Sequence, residues 1–280
     1  MKTCEANDAK VGDYVDYKDR KMLVVDNKTI IEGIHLWMNH LIDGVCTTYV
    51  TDLERIFVRA GVNHFFNAPI SDWDVSNVTN MEKAFISTSA FNQPIGDWNV
   101  SNVYNMRSMF ESASAFNQPI GNWDVSRVRT MKKMFEYADS FNQPISDWDV
   151  SNVQDMGQMF HAAKSFNQPI GNWDVSNVVN MKSMFSLATT FNQEIGKWDM
   201  SDVQDMSFMF NCAYAFDQDI SKWVMPNEKR REHPRAYLRP VGTQYMFRRT
   251  NIRDEFKPLA LQCRDEFKPL ALQQNKRTTV

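Results

Sequence analysis

Phenylalanine recurs at Phe66, Phe91, Phe116, Phe141, Phe166, Phe191 and Phe216, every 25 residues without slippage. Isoleucine follows four positions later each time, from Ile70 to Ile220, and tryptophan three after that, from Trp73 to Trp223. Seven of the eight tryptophans therefore share one repeat position. A fixed period of this length must be read before any local feature, because it decides the architecture. The unit offers about eight apolar side chains, each worth ~1.5–3 kcal/mol when buried. Ordering its backbone costs ~1–2 kcal/mol per residue. One unit cannot fold alone, whereas stacked neighbours can share a continuous core.

Within a unit, NMRSMFESASAF places Met106, Met109, Phe110 and Ala113 at i, i+3, i+4 and i+7. That spacing predicts one stripe of an amphipathic helix. Asn80, Asn105, Thr130, Asp155, Asn180 and Asp205 precede the stripe as N-caps. The remainder, FNQPIGNWDVSNV, carries Pro and often Gly and reads as a turn followed by a very short strand. Helices stack at ~8–10 Å and strands at ~4.8 Å, so the stack should curve with its strand side concave. The expected fold is an α/β solenoid, a right-handed curved stack of about 25-residue repeats, each with one short helix and a short strand or turn.

Three regions follow. Residues 1–49 form an N-terminal cap, with a helix expected over Val24–Ile42 burying Ile31, Ile34, Trp37, Met38 and Leu41. Residues 50–225 hold the repeats, about seven units, the first degenerate with three extra residues. Residues 226–280 form a tail with 13 Lys/Arg against 6 Asp/Glu, so the acidic body and basic tail together give the net charge of −3. The tail contains a tandem copy, RDEFKPLALQC then RDEFKPLALQQ, and reads either as flexible or as a small helix–turn pair.

The string W-D-V-S-N-V-x-N-M-x-x-M-F-x-x-A-x-x-F-N-Q-P-I strongly resembles the Mycoplasma-type BspA-like repeat, a relative of leucine-rich repeats. The resemblance spans roughly residues 50 to 225. It implies a solenoid used for protein–protein or cell-surface contacts, with no known catalytic centre. Members of the family are often bacterial surface proteins or lipoproteins, and similar arrays occur in large DNA viruses of protists.

Cys4, Cys46, Cys212 and Cys263 are too scattered for a disulfide framework or a zinc site. No apolar run reaches a transmembrane length, and the start lacks the apolar core of a secretory signal, which points to an intracellular location. No Ser/His/Asp set, phosphate loop or HExxH motif is present, so the chain reads as a non-enzyme without a cofactor. The Trp column is either core or a stacking platform for sugars or bases. The column Asp74, Asn99, Asp124, Asp149, Asp174 and Asp199, each followed two later by Ser, is either an Asp-x-Ser turn or a calcium ladder. Asn67 to Asn192, the residue after each Phe, reads as an internal amide ladder.

Recognition of a protein partner, whether a surface or a host factor, should lie where the units differ. The candidate residues are Tyr104, Arg127, Arg129, Gln154 and Gln204 on the strand side, and Lys132, Lys133 and Tyr137 on the helix side. Other varied positions on that helix side include Ser108, Glu136, His161 and Ser186. The same positions could equally be solvated and drifting. A nucleic acid or an anionic membrane surface is the alternative partner, held through residues 226–280.

Overall fold

The computed structural model describes residues 8–41, 43–224 and 242–258. Two antiparallel strands open the chain, β1 (Tyr14–Tyr17) and β2 (Arg20–Asp26). Helix α1 (Ile30–Met38) then leads to β3 (Gly44–Tyr49), which pairs parallel with β2 in a sheet of order β1-β2-β3. The expected N-terminal helix is thus shorter, because Val24 and Val25 belong to β2 and are fully buried there. A Cβ on Gly33 would stand 2.8 Å from Val45 and 2.9 Å from Val25, so glycine lets α1 lie directly on the sheet. Leu41, expected on the buried face, is exposed beyond the helix end. Asp72, in the turn before Trp73, joins this cap to the first unit by accepting hydrogen bonds from Lys18 and Arg20.

From Asp52 onward the units lie parallel, one upon the next. Single bridges join Asp52 to Asn80, then Asn80, Asn105, Thr130, Asp155, Asn180 and Asp205 in turn, and finally Asp205 to Gly242. The first step spans three more residues than the others, as the degenerate first unit requires. Those residues are taken up by a four-residue helix, α2 (Ile56–Arg59).

The helices expected in the other units are absent. Each stripe is a run of turns: Ala84 N–H donates to Met81 O, Ile86 to Lys83 O and Thr88 to Phe85 O. The alternate N–H groups leave the unit altogether. Met81, Lys83, Phe85 and Ser87 donate to the carbonyls of Asn105, Arg107, Met109 and Glu111 one unit on. The turns require left-handed backbone every fourth residue, at Lys83 and Ser87, then Ser108 and Ser112, and so on to Tyr245 and Arg249. None of these residues is glycine, although left-handed backbone costs an ordinary residue ~1–2 kcal/mol.

Packing distance explains why turns win. Phe110, Phe135, Phe160 and Phe185 stack nearly parallel with centroids 5.7 Å apart. The column from Phe66 to Phe216 repeats at 5.9–6.1 Å. Helix axes cannot approach so closely, since they need ~8–10 Å. A helix would also keep its N–H groups to itself, whereas the turns spend half of theirs on the next unit.

The expected N-caps keep their chemistry without the helix. Asn105 Oδ1 accepts the N–H of Arg107 at 3.0 Å, and Asp155, Asn180 and Asp205 do the same two residues on. Each tryptophan from Trp98 to Trp223 is 3–4% exposed, and its indole N–H donates to the isoleucine carbonyl of the preceding unit at 3.0–3.1 Å across the set. The column is core, so the stacking-platform reading is withdrawn: no indole face is left for a sugar or a base.

The amide ladder is present and more extensive than the asparagines alone. Asn117 N–H donates to Asn92 Oδ1, and Gln118 Nε2 donates to the same oxygen and to Asn92 O, a pattern repeated up to Gln218. Replacing Asn142 by alanine removes the acceptor for Asn167 N–H and Gln168 Nε2. The expected loss is ~1–3 kcal/mol of unfolding free energy, read from chemical denaturation.

The boundary at 225/226 is corrected in part. Residues 242–250 form another turn run, accepting from Met206, Phe208, Phe210 and Cys212 at Gly242, Gln244, Met246 and Arg248. Phe247 extends the Phe210 stack at 5.8 Å. Arg253 N–H donates to Asp217, which continues the amide ladder with an acid, and its guanidinium pairs with the same carboxylate. Part of the basic segment is therefore a final unit, and the first duplicated copy begins by docking on the stack. Residues 226–241 and the second copy lie outside the described residues.

Candidate functional site

The period itself brings distant varied residues together. A residue and its counterpart one unit later are neighbours on the ladder: Tyr104 N–H donates to Thr79 O, Arg129 to Tyr104 O and Gln154 to Arg129 O. Tyr104 and Arg129, with Arg127, line a concavity of about 530 Å³ completed by Thr79, Asn102, Ser126 and Asn152. Its wall holds two guanidinium groups, a phenol, two hydroxyls and two amides, and no carboxylate.

Arg127 stands where the neighbouring units have Asn102 and Asn152. Asn152 Nδ2 donates to Ser126 O, the bond made by this column elsewhere, whereas Arg127 Nη1 reaches Asn102 Oδ1 at 2.8 Å. One bond therefore steadies Arg127 and leaves most of its donors unspent. Among the described residues, neither the Arg129 guanidinium nor the Tyr104 hydroxyl has a hydrogen-bond or ion-pair partner, and Tyr104 is 49% exposed.

The nearest acid is already occupied. Asp124 Oδ1 accepts from the Ser126 hydroxyl at 2.6 Å and the Ser126 N–H at 3.0 Å. These bonds, with the charge of Arg127, hold the Asp124 carboxyl below its ordinary range. The same Asp-x-Ser turn recurs at Asp74 and Asp149. Among the described residues no group of three or more His, Cys, Asp or Glu could hold a metal ion.

The other proposed contact residues fall elsewhere. Gln154 adjoins Arg129 on the ladder, and Gln204 follows two units later, beyond Val179. Lys132, Lys133 and Tyr137 belong to the turn run and do not line the groove. Lys132 lies 3.8 Å from Asp155, and Lys133 lies 2.9 Å from Glu136. Tyr137 is exposed and stands edge-on to His161. Ser108, Glu136 and Ser186, expected on an outer helix face, are buried, because a run of turns faces inward at positions a helix would expose.

Glu136 and His161 form a second cluster that sequence reasoning placed on the surface. Burial pushes the Glu136 carboxyl above its ordinary value, against Lys133 and a hydrogen bond from Gln158 Nε2. Burial, then the charge of Lys133, pushes the His161 imidazole below its usual value, and its Nδ1 has no partner. A raised carboxyl binds its proton more tightly when folded. Its contribution to stability is complete below the ordinary carboxyl value and is lost as pH rises through the folded one. Glu136→Gln should therefore unfold at higher urea than the parent at pH 8, with the gap closing near pH 4. An equal gap at both pH values would contradict this.

A fixed 25-residue unit, stacked in parallel and varied only at scattered positions, defines a tandem-repeat protein. The family described as "Mycoplasma protein of unknown function, DUF285" matches residues 29–148 and again 138–234. The chain belongs to this family, and the two matches together take in α1, β3 and every regular unit. No curated protein matches the chain, and no solved structure matches it. No helix among the described residues is long and apolar enough to cross a membrane.

Proposed function

We propose that the chain is a non-enzymatic repeat scaffold for protein–protein interaction, its stacked units forming a solenoid of the BspA-like kind. One observation carries the reading: the apolar positions shared by the units are buried, while Tyr104 and Arg129 of a variable column meet Arg127, which departs from its asparagine column, in one open groove. A rigid frame with varied exposed side chains is what selective recognition needs. The titratable groups do not suggest chemistry. Glu136 is buried and does not line the groove, whose guanidinium groups, phenol, hydroxyls and amides are hydrogen-bonding groups suited to holding a partner.

The test is affinity capture from the native host with the immobilised chain, in parallel with an Arg127→Gln, Arg129→Gln variant. A protein retained by the parent and lost from the variant is expected. If neither form enriches a protein, the scaffold reading loses its support.

A further inference from the structure

The groove also carries information about the chemistry of its partner. We infer that it binds an extended peptide segment whose acidic side chains pair with Arg127 and Arg129, the segment then running on across Gln154, Val179 and Gln204. This rests on the scaffold reading and specifies the partner for the same site.

Three features lead there. First, the donors greatly outnumber the acceptors. Arg129 and the Tyr104 hydroxyl are unspent among the described residues, and Arg127 uses one bond on Asn102. A carboxylate matches the planar fork of a guanidinium and gains two parallel hydrogen bonds from it. Second, the neighbouring acid is engaged elsewhere, because Asp124 Oδ1 accepts both the Ser126 hydroxyl and N–H, and no carboxylate lines the groove itself.

Third, the positive charge is local. Along the same ladder the residues after Arg129 are the exposed Gln154, the half-buried Val179 and the exposed Gln204, and Asp202 occupies the column position of Arg127 three units on. A polyanion such as a nucleic acid would need cations along its length and would meet Asp202. A peptide needs them at one end only. The amides of Gln154 and Gln204 can both donate to and accept from a peptide backbone, and the unit spacing suits an extended chain laid across the stack.

The probe is a fluorescent peptide with an acidic half, Glu-Asp-Glu, followed by a neutral half of Ser, Thr and Gln. It is titrated against the full chain at low and moderate salt. Controls are its Gln/Asn counterpart, inorganic phosphate and single-stranded oligonucleotide as competitors. The acidic peptide should bind, weaken as salt rises and lose about tenfold or more in affinity in the Arg127→Gln, Arg129→Gln variant. Arg129→Lys, which keeps the charge and loses the fork, should bind less tightly than the parent, and thermal melting should be unchanged in both variants.

Equal binding of the neutral peptide, or undiminished binding by the double variant, would overturn the proposal. So would displacement by phosphate or by oligonucleotide at concentrations where the acidic peptide itself cannot compete. Capture of a host protein through the groove without binding of this peptide would remove the acidic partner and leave the scaffold. Failure of both would remove the scaffold as well.

Discussion

Trp148→Ala is expected to cost ~3–5 kcal/mol of unfolding free energy, the range for large aromatic truncations in a close-packed core. Trp148 is 3% exposed, and its ring lies 6.4 Å from that of Phe135. Its indole N–H donates to Ile120 O at 3.1 Å, in the unit before. Truncation opens a cavity in the middle of the stack and removes one of the two hydrogen bonds to Ile120 O, which keeps the Trp123 N–H. Trp148→Phe refills most of the volume and forfeits only the hydrogen bond, so it should lose less than half as much. Urea denaturation of the three proteins measures both steps. A Phe variant as damaged as the Ala variant would show that the hydrogen bond, not the volume, dominates.

Ser183 gives the second large effect, together with a test of sign. Its N–H donates to Ser207 O at 2.9 Å, and its φ is 54°. Proline can satisfy neither requirement, since its φ is fixed near −65° and it has no N–H. Ser183→Pro should cost ~3 kcal/mol or more and separate the units on either side. Ser183→Gly should do the opposite, gaining up to ~1 kcal/mol by relieving the left-handed backbone. In a helix the same glycine would cost ~1 kcal/mol. Denaturation midpoints of the pair therefore distinguish turn from helix at a single residue.

The difference between those two conformations is also where reading the chain alone falls short. Met106, Met109, Phe110 and Ala113 satisfy the helical stripe, yet two successive four-residue turns bury the same positions. Asn105 accepts the N–H two residues on in either case. The feature that excludes a helix is the close approach of Phe110 to Phe135, a distance between units rather than within one. The same blindness to distant pairing assigned Val24 and Val25 to a helix, when their place depends on β3 lying parallel beside them. The final unit escaped for a different reason. The residues between Trp223 and Gly242 break the 25-residue register, and without it GTQYMFRRT does not look like NMRSMFESA.

What the period did reveal is which residues are frame. Phe, Ile, Trp and Val columns are buried throughout, and the asparagine ladder runs where the repeated FNQ placed it. Arg127 was visible as a departure from its asparagine column and Tyr104 and Arg129 as members of a varied one, and the stacking rule alone makes Tyr104 and Arg129 neighbours. Their common groove was not visible, because it also needs Thr79, Asn102, Ser126 and Asn152, ordinary members of their columns. Glu136 was misplaced because its burial depends on the inward turn of the chain, which a helix would have reversed.

If each unit is held only by its neighbours, the stack tolerates loss of one whole unit and not loss of part of one. Deletion of residues 166–190 takes out a complete repeat beyond Arg127 and Arg129, Val179 included, and joins Ser165 to Phe191, a sister of the Phe166 it replaces. Deletion of residues 166–178 instead leaves a partial unit out of register. The first protein should unfold cooperatively, with the parent's circular dichroism and a moderately lower midpoint, while the second should fail to fold. Equal outcomes for the two deletions, folded or unfolded, would contradict the stacked-unit account.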